Sequence, residues 1–149
     1  MALYQCNGCG AAETLVSVVP ESCSACGSRA LVNMSIQASA IAEANDAFRA
    51  AIPFQGHQTY EGQVIFSGGV EEKGMLFVVL ATRAVAEFTD FTELNDPSGD
   101  HSFGVVHVNE MEVFWAISLY NKTYDAAADD PLDDDDTRRV LTIYLPHEH

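Results

Sequence analysis

The chain has 149 residues, 48% hydrophobic and 9% aromatic, which excludes a disordered polymer and suits one medium domain with a small module attached. Its 22 acids against 7 bases give a formal net charge of -15, which repels phosphate backbones at long range and disfavours generic DNA or RNA binding. No apolar run approaches the ~18–20 residues of a membrane helix, and the first residues show no basic or apolar leader pattern, so a cytoplasmic protein is expected.

All four cysteines fall near the start: Cys6 and Cys9, then Cys23 and Cys26. A two-residue gap lets both thiolates of a pair face one ion, and zinc takes four such ligands in a tetrahedron with Zn–S near ~2.3 Å. Gly10 and Gly27 follow each pair, where the backbone must turn sharply. The pattern predicts one structural Zn2+ held by Cys6, Cys9, Cys23 and Cys26. A redox dithiol opens a helix in a βαβ setting, and neither pair sits in one. An iron or iron–sulfur centre is the remaining alternative. Four thiolates leave no open position, so this metal would brace and not react. Over residues 4–32 the chain resembles the broad class of zinc ribbons, a resemblance that implies docking or pure bracing.

Residues 35–51 read as a helix, with Ile41, Ala44 and Phe48 on one face and Pro53 ending it. Residues 60–66 read as a strand closed by a turn at Gly68-Gly69. Residues 72–91 read as one long helix, since Ala81, Val85 and Phe88 recur at helical spacing. Asn95-Asp96-Pro97-Ser98-Gly99 is a turn. Phe103–Val108 and Met111–Tyr120 form a hairpin joined at Asn109-Glu110. Val113, Trp115, Ile117 and Leu119 alternate onto its buried face. Residues 125–136 hold seven aspartates and no base, and predict an exposed loop. Residues 138–145 give a last strand with Leu141, Ile143 and Leu145 on one side. The expected class is α+β: a zinc ribbon over residues 1–32, then a domain over 33–149. That domain is expected to be an antiparallel sheet of about four strands with two helices on one face.

Several ordered motifs carry a second likeness. They are Asn45-Asp46-Ala47-Phe48-Arg49, the run from Asn95 through Asp100-His101-Ser102 to Gly104, Phe114-Trp115-x-Ile117-x-x-Tyr120, Asp130-Pro131, and Thr137-Arg138-Arg139-Val140-Leu141-Thr142-Ile143. From about Asn45 to its end the chain resembles the uncharacterised family DUF3768. The resemblance implies a fold unit and a bacterial mobile-element setting, with no established activity. The family's turn carries a glutamate before the histidine and an aspartate after it, where this chain has Asp100 and Ser102. After the tryptophan the family carries a lysine and an aspartate, where this chain has Ala116 and Ser118. Those departures remove half of any acid–base set in these strands.

Asn95, Asp96, Asp100 and His101 lie within a few residues of one another and could hold a general base or a metal ligand. The same residue types build ordinary turns, which is the favoured explanation. The aspartate run lacks the glycine and closing glutamate of a calcium loop. No nucleophile elbow, P-loop or dinucleotide fingerprint is present. The expected function is a non-enzymatic acidic binding protein. Its partner would be a protein with a basic surface, reached without direct nucleic-acid or membrane contact. In its sharpest form Asp129, Asp130, Asp133, Asp134, Asp135 and Asp136 stand in for phosphates in the DNA channel of a host nucleic-acid-binding defence complex. The alternatives are a small hydrolase built on Asp96, Asp100 and His101, or a ribbon that binds nucleic acid. The ribbon has only Arg29 and Tyr4 to offer such a ligand.

Overall fold

The computed structural model describes the backbone of residues 2–6, 12–15, 31–54 and 56–148, and the side chains of 36–54 and 56–148. The chain divides into two units, Met1–Ala40 and Ile41–His149. In the first, β1 (Ala2–Cys6) lies between β2 (Ala12–Leu15) and β3 (Leu31–Asn33), antiparallel to both. Cys6 ends β1, and its side chain is outside the described set. Cys9, Cys23 and Cys26 lie outside the described residues altogether, and so does the metal tetrahedron expected of them.

Helix α1 (Met34–Ala51) matches the expected alanine-rich segment. It stops where Pro53, which has no N–H to donate, falls in a single 3-10 turn at Ile52–Phe54. Within the second unit its buried positions include Asn45, Phe48 and Arg49, the three-and-four spacing of one helix face.

Five further elements and a last strand complete that unit: β4 (Gly62–Phe66), α2 (Gly68–Glu72), α3 (Met75–Glu87), β5 (Phe103–Val108), β6 (Met111–Tyr120) and β7 (Arg138–Tyr144). The sheet order is β4-β7-β6-β5. Strands β5, β6 and β7 form the expected antiparallel meander. Asn109 and Glu110 both have positive φ, 51° and 68°, as a two-residue turn matched to strand twist requires.

Three expectations are corrected. The sheet is mixed and not all antiparallel, because β4 pairs parallel to β7 from Gly62↔Arg139 to Phe66↔Ile143. The chain between β4 and β7 passes through two helices and a hairpin, which is ample to return a strand in the same direction. The single helix over 72–91 is two helices, parted at Gly74, whose φ of 99° lies outside the range of a continuing helix. Gly68 and Gly69 open α2 and do not make a turn. Ser67 caps that helix by accepting from the Val70 N–H at 3.3 Å. Glu148, from the far end of the chain, accepts from Ser67 Oγ at 2.6 Å and from the Gly69 N–H at 3.0 Å. A Cβ at position 69 would meet that carboxylate at 2.6 Å, so the glycine answers to a close approach.

Three helices, and not two, cover one face of the sheet. Phe48, Val70, Phe77, Ala81 and Val85 pack there against Val106, Val113, Trp115, Ile117, Leu141 and Ile143. The opposite face carries a half-exposed row, Phe103, Phe114 and Tyr144, in successive edge-to-face contacts at 5.6 Å and 5.8 Å. Among the described residues no helix is long and apolar enough to cross a membrane.

Candidate functional site

Polar side chains gather where α1 crosses the sheet. Asn45 is fully buried; its Nδ2 donates to the Asp100 carbonyl at 2.9 Å, and its Oδ1 accepts from Arg139 Nε at 2.8 Å. Helix α3 ends at Glu87, and its last carbonyls need donors. Arg49 supplies them, through Nη1 to Val85 O at 2.8 Å and to Phe88 O at 2.6 Å. Its Nη2 donates to Asp46 Oδ1 at 2.6 Å. The guanidinium also lies over Trp115 at 4.9 Å and Phe91 at 5.4 Å. Burial pulls the Arg49 pKa down from its ordinary value, and the hydrogen bond and charge of Asp46 oppose that shift.

His101 has a left-handed backbone, φ 54°, which costs a non-glycine residue about 1–3 kcal/mol. That conformation turns its ring between two acids. Nδ1 lies 2.9 Å from Asp46 Oδ2 and 3.0 Å from Oδ1; a carboxylate only accepts, so Nδ1 carries the proton. Nε2 faces Asp96 Oδ2 at 3.5 Å, and the backbone N–H donates to Asp96 Oδ1 at 3.3 Å. Phe91 stacks flat on the ring, 3.7 Å between centroids at 1°.

The fold thus unites two of the four residues singled out in this turn, Asp96 and His101. Asp100 accepts instead from Ser102 Oγ at 2.8 Å. Asn95 is a turn residue, accepting from the Thr92 N–H at 2.7 Å and donating to Asp90 O at 2.8 Å. Sequence reasoning missed the chemical part of Asp46, Arg49, Phe91 and Arg139. The available signal was Asn45 and Arg49, one turn apart on an otherwise apolar helix face. A histidine works as a general base through a ring nitrogen that reaches substrate. Here both nitrogens face carboxylates of the protein. Among the described residues no group of three or more His, Cys, Asp or Glu is placed to hold a metal.

The acidic segment fills residues 121–137, between β6 and β7. It is shaped by its own hydrogen bonds. Tyr120 bridges to Ala127, and the Ala128 N–H donates to Leu119 O at 3.1 Å. Asp130 accepts from the Leu132 N–H at 3.0 Å, and Asp133 from the Asp135 N–H at 3.1 Å. Buried Thr137 donates to Asp130 O at 2.9 Å. Side-chain hydrogen bonds from Asn121 and Thr123 hold the Asp125 pKa below the ordinary carboxylate value. Asp129, Asp130, Asp133 and Asp135 are exposed, while Asp134 and Asp136 are half-buried.

A family model described as "Protein of unknown function (DUF3768)" matches residues 69–148. No curated protein and no solved structure matches the chain. The matched span holds the His101 turn, the hairpin, the acidic loop and β7, and Asn45 to Arg49 precede it in sequence. With more than half of its length matched, the chain belongs to the DUF3768 family.

Proposed function

We propose that the protein is a non-enzymatic acidic binding module that sets its 125–136 loop against a basic surface of another protein. The observation that carries this reading is the loop itself: exposed aspartates on a connection whose backbone is pinned by turns and by the sheet on either side. A net charge of -15 adds long-range attraction for a cationic partner. A surface that normally holds a nucleic-acid backbone is the best-matched target, since spaced carboxylates offer the charge pattern of phosphates. The mobile-element setting implied by the family resemblance fits an inhibitor of a host nucleic-acid-binding complex. The hydrolase reading has less support, because the Asp100 carboxylate turns to Ser102 and the His101 ring is held between two acids.

The test is capture of a partner from host lysate, followed by association kinetics at low and high salt. Replacing Asp129, Asp130, Asp133 and Asp135 by asparagine should slow association about tenfold or more at low salt and flatten the salt dependence. Binding indifferent to salt, or the absence of any partner, sinks the proposal.

A structural zinc on Cys6, Cys9, Cys23 and Cys26 is the second part of the proposal, supported by the paired spacing. Metal analysis should find one zinc per chain. Cys23→Ser should lose it, and chelation should unfold residues 1–40 while the DUF3768 unit keeps its circular dichroism. Protein purified without stoichiometric zinc contradicts this.

A further inference from the structure

Arg139 points from β7 into the interior and is 1% exposed. Its Nε is satisfied by Asn45, but Nη1 and Nη2 are buried with no hydrogen-bond partner among the described residues. Arg49, Arg83 and Arg138 each have a carboxylate in ion-pair contact; among the described residues Arg139 has none. An arginine does not shed its proton in a protein, so burial leaves a full charge there. Such a charge with two open donors is costly unless something compensates it. Water could accept the two hydrogen bonds but would leave the charge unmatched. The paired Nη edge is a fork suited to two oxygens of one anion.

The way in is marked by Tyr60. Its ring lies 5.1 Å from the Arg139 guanidinium carbon and forms part of the wall of a cleft of about 460 Å³. His57 stacks on Tyr60 at 4.8 Å, and Arg138 and Gly62 line the same cleft. Gly62 pairs with Arg139 across β4 and β7, so close that a Cβ there would overlap the Arg139 carbonyl. Only one residue's thickness therefore separates cleft and fork. Residues 56–61 form no helix or strand, and the half-buried Tyr60 can swing without disturbing the sheet.

We propose that Arg139 anchors an oxyanion-binding site entered from this cleft, with Tyr60 as its movable wall and Arg138 at its mouth, taking a small molecule that bears a carboxylate or a phosphate. The site is independent of the acidic loop and of the partner proposed for it.

The experiment uses the full chain labelled with 15N. Inorganic phosphate and acetate are titrated separately, with ionic strength held constant by sodium chloride. Saturable shifts are expected at the Arg139 Nε–H and at the amides of Tyr60 and Gly62. Tighter saturation by phosphate marks a phosphate ligand, and tighter saturation by acetate marks a carboxylate. Arg139→Met should abolish the shifts, and Arg138→Gln, which leaves the interior intact, should weaken binding severalfold should the first variant fail to fold. Absence of saturable shifts with either probe overturns the site. Shifts that survive Arg138→Gln unchanged mean an adventitious ion only, and overturn it equally.

Discussion

Trp115→Ala is expected to destabilise the DUF3768 unit by about 3–5 kcal/mol, read as a lower denaturation midpoint by circular dichroism. The indole is fully buried at the centre of β6. It meets Phe88 at 5.8 Å and Phe91 at 6.2 Å, both edge to face, and lies beneath the Arg49 cation. Removing it opens a cavity where two helices, a loop and the sheet converge, and no flexible neighbour is placed to fill it. Domains of this size are stable by only about 5–15 kcal/mol, so the loss approaches the whole margin. Trp115→Phe should cost much less, about 1–2 kcal/mol. It keeps an aromatic ring and removes Nε1, a buried donor without a partner. A cost below about 1 kcal/mol for the alanine variant would show that this core is not built as described.

Arg49→Met should cost about 3 kcal/mol or more, because two carbonyls and a carboxylate lose a charged donor together. Methionine keeps much of the buried volume, so the loss reports polar contacts and not a void. Arg49→Lys should recover only part of it. A lysine is a single point charge and cannot span Val85 O, Phe88 O and Asp46 as a planar fork does. Hydrogen exchange gives the location: amides over residues 88–91 and 95–102 should lose protection, while those of β6 and β7 hold. Uniform loss across the unit would mean that Arg49 serves the whole fold and not the His101 clamp.

The hairpin was readable because its signal is local. Val113, Trp115, Ile117 and Leu119 alternate within one strand, and Asn109-Glu110 sits between two such runs. The parallel partner of β4 was not readable, since alternation within residues 60–66 says nothing about the direction of a neighbour 77 positions away at Gly62↔Arg139. Gly68-Gly69 looked like a turn because its two deciding contacts are remote. Ser67 caps the helix, and Glu148 secures that cap from the other end of the chain. The site divides in the same way. Asp96 and His101 stand together in sequence and were picked out as a pair. Asp46 meets His101 across a separation of 55 residues, and Arg139 meets Asn45 across 94, distances at which residue type alone carries no spatial information.

Strands β6 and β7 are adjacent and antiparallel, with Tyr120 directly opposite Arg138. Joining two such strands takes only about 2–5 residues. The chain instead spends residues 121–137, at an entropic cost that grows by only about 0.6 kcal/mol for each doubling of length. The sheet is then a mount and the long connection a replaceable fitting. A graft of different charge or length there would redirect recognition while the anchoring pair kept its register, so the target can be rewritten without touching the interior.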